Sequence, residues 1–248
     1  MEFENKTILI TGASTGIGKA LGEKLAHKSC NLVLTARRDE IINEWVEKVS
    51  DCKADIFIIK NDVSDKNNIV ETQKKIIEKF GNIDLAILNS GISRKVNPEK
   101  FNSEHAEEVI NTNYLGVIYW IEQILPSMIK NKNGIIAPVS SLVDNHGYSQ
   151  SGFYCASKAA LSIFSQSLSI DIEKFGIKLL TIKPGFVETP MTNKNKYKMP
   201  FIISAEKAAD IIIDGIIKEK KVIQFPLPTV IGAKIIGILP RWIYKLIK

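Results

Sequence analysis

Tyr154 and Lys158 stand four residues apart in the stretch Ser-Gly-Phe-Tyr-Cys-Ala-Ser-Lys. On a helix that spacing puts phenol and ammonium on one face. A free tyrosine titrates at about 10, too high for acid–base work at neutral pH. An ammonium ~5 Å away, at an effective dielectric of ~20, favours the phenolate by roughly 3 kcal/mol, or about two pKa units. A cationic ring beside the pair would add to the effect. Ser141 lies a short stretch upstream. Alone, Tyr-x-x-x-Lys is also what any exposed amphipathic helix can carry. Its meaning depends on what the chain places beside it.

Several other stretches have chemistry to offer. Gly12-Ala-Ser-Thr-Gly16-Ile-Gly18 follows a β-branched run and opens a helical one. Gly12 permits a tight turn, Gly16 a close backbone approach, and Gly18 packing of the helix near the sheet. With Ser14, Thr15 and Ile17 these residues would present free amides to an anion. The spacing is G-x-x-x-G-x-G, and a purely structural turn is the plain alternative. After the second apolar run come Arg37 and Arg38, where a site selective for an unphosphorylated ribose would carry a carboxylate. Two guanidiniums suit the 2′-phosphate of NADPH and make NADH the less favoured partner; a solvated charge pair is the alternative. Asp62, Asn89-Ser-Gly91, Ser140-Ser141 and Pro184-Gly185 each follow a further apolar run, at the edge where parallel sheets bind ligands.

The elements that must position these groups are legible from periodicity. Strands are predicted at 7–11, 31–35, 56–59, 85–88, 135–139, 178–182 and 222–225. Helices are predicted from Ile17 onward and over 39–49, 68–80, 103–130, 152–175 and 205–217. Strands alternating with helices of this length imply right-handed crossovers. The fold class is therefore α/β: a single Rossmann-like, doubly wound parallel sheet of about seven strands, with helices on both faces. Pro138 lies in the fifth strand, where a missing amide donor predicts irregular pairing near Ser141.

Totals narrow the function classes. With 248 residues, 45% hydrophobic and 24% charged, the chain is an ordinary globular protein able to bury one large core. No apolar run reaches the ~18 residues of a spanning helix, and no secretory leader is visible, which points to the cytoplasm. Cys30, Cys52 and Cys155 show no paired spacing and His27, His105 and His146 are scattered, so neither a disulfide framework nor a metal centre is expected. The net charge of +6 is confined to the end of the chain, where Lys218, Lys220, Lys221, Lys234, Arg241, Lys245 and Lys248 meet one acid, Glu219. A basic tail without a recognition motif does not suggest a nucleic-acid partner.

Taken in order, TGASTGIG, Asp62-Val63, Leu-Asn89-Ser-Gly91, Asn113 in NTNYLG, Ser141, YCASK and PGFVETPM resemble the short-chain dehydrogenase/reductase family over roughly 6–225. The resemblance implies an NAD(P)-dependent oxidoreductase in which Tyr154 protonates a carbonyl oxygen during its reduction to an alcohol, or acts in reverse. It implies that Lys158 lowers the phenol pKa and holds the nicotinamide ribose, and that Asn113 holds a water between Lys158 and solvent. Composition does not separate Ser140 from Ser141; the family spacing to Tyr154 selects Ser141 as the donor to the substrate carbonyl. Asp62 and Val63 would border the adenine, Asn89 would support the cofactor ribose, Val187 and Thr189 would fix the nicotinamide carboxamide, and Gly91, Pro184 and Gly185 would also belong to the cofactor site. A homodimer or homotetramer through the helices carrying Asn113 and Tyr154 is also implied. The usual Asn-Asn-Ala-Gly stands here as Leu88-Asn89-Ser90-Gly91. The alternative function is a regulatory protein that binds NADP(H) without turnover; the joint presence of Asn113, Ser141, Tyr154 and Lys158 weighs against it.

Substrate identity is not readable. The segment 190–204 should shape the pocket, and Met191, Tyr197, Met199 and Phe201 suggest an apolar lining, though surface packing explains them nearly as well. The chain divides into a catalytic domain, 1–225, and an apolar, basic tail, 226–248. Two short helical pieces separated by Pro240 are predicted there. The tail would cover the pocket, contact another subunit, or lie on a membrane surface with Trp242 and Tyr244 at the headgroups. In that last case a lipid-like carbonyl substrate would follow.

Overall fold

The structure, a computed structural model, describes residues 2–194 and 198–238. Its first half alternates β1 (Thr7–Thr11), α1 (Gly16–Ala26), β2 (Asn31–Ala36), α2 (Asp39–Val46), β3 (Asp55–Lys60), α3 (Lys66–Phe80) and β4 (Leu85–Leu88). Then follow α4 (Glu104–Ile110), a π-helical turn over Asn111–Leu115, α5 (Gly116–Asn131), β5 (Gly134–Pro138) and α6 (Gly152–Glu173). The chain continues through β6 (Ile177–Leu179), β7 (Thr181–Pro184), α7 (Ala205–Ile217), β8 (Val222–Phe225) and α8 (Leu227–Ile238).

Strands β3-β2-β1-β4-β5-β6 form one sheet in that order, every pair parallel, and β7 and β8 pair in parallel beside it. After β1 the chain winds outward through β2 and β3, then returns to β4 on the other side of β1. The carboxyl ends of β1 and β4 therefore diverge at the switch point where such sheets take ligands. Alternation along β1 splits the core in two. Ile8 and Ile10 pack with α1, α2 and α7, while Leu9 packs with α3, α5 and α6. Leu9 is fully buried, a burial that contributes about 1.5–3 kcal/mol. Polar caps set the helix starts: Asp65 accepts from the amides of Asn67 and Asn68 before α3, and Ser204 from Lys207 before α7.

The predicted sixth strand is broken into β6 and β7, and Pro138 explains the break. Val139 donates its amide to Leu88 of β4, whereas Ser140 donates to Ile182 of β7. By that alternation the amide at 138 would face β6–β7, opposite Leu180, whose own N–H reaches Ile136 O at 2.8 Å. Proline has no proton to return. The β5–β6 register accordingly ends at Ile136–Leu179, and Thr181 turns its amide to Lys221, beginning the pairing with β8. A lone bridge, Val139–Ile182, resumes contact one step later.

In the tail, α8 corresponds to the first of the two predicted helical pieces. It buries Val230 and Ala233 against Leu142, and the Asn145 side-chain amide donates to Ala233 O at 3.2 Å. Its opposite side exposes Leu227, Ile231 and Ile235 at four-residue intervals. Pro240, Arg241, Trp242, Tyr244, Lys245 and Lys248 lie outside the described residues, as does Tyr197. Among the described residues no helix is long and apolar enough to cross a membrane.

Candidate active site

The turn between β1 and α1 is built by its glycines and locked from β4. Gly12 and Gly16 hold φ of +70° and +58°, which only glycine adopts without strain. A Cβ on Gly18 would stand 2.3 Å from Gly12 O, so the helix can start this close to the strand only without a side chain there. The Asn89 side-chain amide donates to Thr11 O at 3.0 Å and Gly12 O at 3.2 Å, while Thr11 Oγ1 accepts the amides of Asn89 and Ser90. Asn89 thus acts first on the turn itself. Ser14 is buried and Ile17 half-buried. Thr15 precedes the helix without a side-chain cap, and no acid occupies the first turn. The first amides of α1 therefore lack a side-chain acceptor, an arrangement that fits a pyrophosphate. A cleft of ≈ 440 Å³ borders Ser14, Thr15 and Gly16 and runs between α1, α2 and Thr189–Pro190; Glu23, Glu44, Glu188 and Glu206 in its lining make it distinct from an anion site.

Arg37 and Arg38 are both exposed just past β2, with Arg38 at the start of α2. Past β3, Asp62 Oδ1 accepts from the amide and hydroxyl of Ser64, and the Asp62 amide donates to Asn68 Oδ1 at 2.8 Å. Val63 is buried against Gly116, where a Cβ would come within 2.7 Å of Val63 O. These four side chains stand at the ends of adjacent strands, on the same edge as the glycine turn.

Tyr154 and Lys158 share one face of α6, with Lys158 Nζ 5.8 Å from the Tyr154 ring centroid. Lys158 is buried, and its Nζ donates to Val139 O at 2.7 Å, using one of three donors. Burial pushes its ammonium down from 10.5 to about 8. Gly91 lines the same space: a Cβ there would lie 3.6 Å from Lys158 Nζ and 3.5 Å from Asn113 Oδ1. The two serines after β5 part company. Ser140 turns its hydroxyl to α6, 3.0 Å from Lys158 O and 2.7 Å from Ser162 Oγ. Ser141 is buried on the other side, with only long contacts to Pro184 O and the Val143 amide, both 3.4 Å.

Asn113 sits in the π-helical turn, where the Gly116 amide bonds back to Asn111 O. Such a turn inserts one extra residue into a helix and is frequent at functional sites. Its side chain clamps Ile92 at both ends, Oδ1 accepting the amide at 2.8 Å and Nδ2 donating to the carbonyl at 2.9 Å, and reaches Ser157 Oγ at 3.0 Å. The segment after β7 closes the site. Pro184 O accepts the Leu142 amide, Gly185 donates to Phe225 O, and Val187 is buried and bridged to Ile203. Thr189 lies against the glycine turn, its Cγ2 2.9 Å from where a Gly16 Cβ would be. Met191 and Phe201 are exposed, so neither lines an enclosed pocket here.

The sequence reading missed Thr11, Ser157, Ser162, Asp144 and Lys183, all wired into this constellation. Ser162 continues the Tyr154–Lys158 line at the same four-residue interval, a signal that was present. Asp144 and Lys183 meet across 39 positions of sequence through tertiary contact, and no spacing announces them.

Residues 6–200 match the family model described as "short chain dehydrogenase". The fatty acyl-CoA reductase of Acinetobacter baylyi is 34% identical over 221 residues, covering 88% of this chain and 75% of that protein. The 3-oxoacyl-[acyl-carrier-protein] reductase FabG of Thermotoga maritima is 33% identical over 196 residues, 78% of this chain and 79% of its own. Among solved structures, an alcohol dehydrogenase from the archaeon Thermococcus sibiricus, complexed with 5-hydroxy-NADP, superposes with a TM-score of 0.79 at 25% identity. It covers 90% of this chain and 95% of that one.

Proposed function

The chain belongs to the short-chain dehydrogenase/reductase family and is one of its oxidoreductases, and from that premise we propose that it reduces a carbonyl to an alcohol with NADPH, or runs the reverse. One observation carries the reading: the buried Lys158 ammonium, 5.8 Å from the Tyr154 ring, stands at the switch point that also holds the glycine turn. The bound cofactor would supply the hydride. The residues do the rest. The α1 amides and the Gly12–Gly18 turn hold the pyrophosphate, Asp62 and Val63 border the adenine, and Gly91 leaves room beside Lys158 for the nicotinamide ribose. Ser141 donates to the substrate oxygen, and Tyr154, its pKa lowered by Lys158, delivers the proton to that oxygen. Asn113 keeps the Ile92 backbone beside α6 and lends its π-helical turn to the water that links Lys158 with solvent. Val187 and Thr189 orient the carboxamide from the closing loop.

The test is cofactor oxidation across a panel of ketones, aldehydes and 3-oxoacyl thioesters, with NADPH and NADH in parallel. Turnover with the first supports the reading. Binding of NADPH with no turnover of any carbonyl would instead favour a regulatory sensor. The cofactor choice rests on Arg37, exposed past β2 where it can pair with a 2′-phosphate. Arg37→Ala is expected to shrink the preference for NADPH about tenfold or more while leaving NADH use nearly intact. A wild-type enzyme that prefers NADH overturns that assignment.

Residues 1–225 form the catalytic domain in this reading, in the cytoplasm, as a homodimer or homotetramer. Ile163 and Ile170, exposed on α6, offer apolar contact for a second copy. Of the tail 226–248, α8 covers the substrate side, because it packs on Leu142, next to Ser141. The exposed Leu227, Ile231 and Ile235, with Lys234 on the same side and no acid after Glu219, favour one further role: contact with an anionic lipid surface. Full-length protein should then sediment with phosphatidylglycerol vesicles at low salt and not with phosphatidylcholine ones, and a version ending at Phe225 should lose this. No anionic preference excludes the membrane contact.

A further inference from the structure

Behind the Tyr154–Lys158 pair lies a second polar cluster to which nothing so far gives a task. Lys183 Nζ stands 2.7 Å from Asp144 Oδ2, and Ser162 Oγ donates to that same oxygen in a short hydrogen bond. Ser162 Oγ also meets Ser140 Oγ at 2.7 Å, and Ser140 Oγ lies 3.0 Å from Lys158 O. The cluster is interior: the Asp144 side chain keeps 8% of its exposure, Ser140 2%, and Ser162 is half-buried.

Proton counting gives the cluster a direction. Ser162 has one hydroxyl proton, and the Asp144 carboxylate takes it. The 2.7 Å contact between the serines therefore uses the proton of Ser140. Ser140 shares that proton with Lys158 O, whose second lone pair accepts it at 3.0 Å. The chain runs Ser140 to Ser162 to Asp144, and the Lys183 ammonium closes it. Three segments are joined: the stretch after β5 through Ser140 and Asp144, α6 through Ser162, and β7 through Lys183.

Those segments carry the groups that must meet. Tyr154, Lys158 and Ser162 lie at successive four-residue steps of α6, and Ser140 adjoins Ser141. Pro138 removes one ladder bond here, and the Ser140 and Leu142 amides rejoin β7 at Ile182 O and Pro184 O, so backbone pairing sets the path of this stretch while its hydroxyls depend on the side-chain network. We propose that Asp144, with Ser162, Ser140 and Lys183, is a positioning network that fixes Ser141 relative to Tyr154 and Lys158. The proposal rests on those three being the reacting set. None of the four would touch substrate. They would set the angle between the hydroxyl donor and the proton donor, where a misplacement of ~1 Å costs about a hundredfold in rate.

Ser162→Ala deletes the central link without opening a large void, and Ser162→Thr restores the hydroxyl. Asp144→Asn removes the acceptor charge as a second variant. In the panel enzyme assay Ser162→Ala is expected to lower kcat on the order of tenfold with NADPH affinity unchanged, and Ser162→Thr to recover most of it. Hydrogen exchange should show faster amides in peptides spanning 139–146 and 152–162 together, with β1–β4 unaffected. That readout needs no turnover. An inactive wild type would sink the proposed function while the exchange data still judge the network. Turnover within twofold of wild type in both Ser162→Ala and Asp144→Asn, or exchange unchanged in both peptides, overturns the positioning role.

Discussion

Replacing Tyr154 with phenylalanine is expected to remove most turnover, by a factor of roughly 10²–10⁴, while leaving NADPH affinity nearly unchanged. Only the phenolic oxygen and its proton are lost. The ring stays on α6 and Lys158 keeps its bond to Val139 O, so the ribose side of the site should be intact. The measurement is kcat and cofactor Kd on the same preparation. Turnover near that of the wild type would mean that another group delivers the proton. The oxygen of a reduced substrate would then have to sit elsewhere than beside Tyr154.

Lys158→Met is expected to damage both steps, because the ammonium is assigned two tasks. Cofactor affinity should fall about tenfold and kcat by a hundredfold or more, on the scale of a lost charge-assisted contact and a lost pKa shift. The wild type should show the same dependence in its pH profile. Burial lowers the Lys158 pKa from 10.5 to about 8, so the ammonium is present below pH 8 and is lost above it. NADPH affinity should therefore decline as pH rises through about 8. Stability has the opposite sign. Between about 8 and 10.5 the unfolded chain holds this proton and the folded one does not, so the contribution to stability rises with pH in that window. The cofactor-free Lys158→Met protein should be no less stable than wild type at pH 7, and melting curves over pH 7–10 test this. An unchanged NADPH affinity in the variant would strip Lys158 of its role toward the ribose.

Much of this site could be read before any coordinates. The strands at 85–88 and 222–225 and the helix at 205–217 end where their apolar periodicity ends. There the local pattern and the tertiary environment ask for the same thing. The apolar run 178–182 predicts one strand because its own residues carry no sign of the break; the cause is Pro138, on a neighbouring strand. Asn113 was legible as part of a motif, but its clamp on Ile92 and the π-helical turn were not, since a one-residue insertion leaves apolar spacing almost unchanged. The motif puts Asn89 at the ribose, whereas its amide is engaged with the carbonyls of Thr11 and Gly12, a partnership between strands 78 positions apart. Networks such as Ser162–Asp144–Lys183 stay hidden for the same reason: a hydrogen bond between distant segments constrains no periodicity in either.

The missing amide at Pro138 also bears on how such a chain can change. The six paired strands carry the glycine turn, Arg37, Asp62 and Asn89, whereas residues 185–194 follow β7 and α8 follows β8; α7, between them, packs on α1. The ladder between these two parts lacks one bond, at Leu180, and resumes where Ser140 and Leu142 donate to Ile182 O and Pro184 O, so the connection between β7 and α7 can vary in length outside the six-stranded sheet. A duplicated copy of the gene could therefore explore new substrates through the chain that follows β7 while keeping its nucleotide cradle.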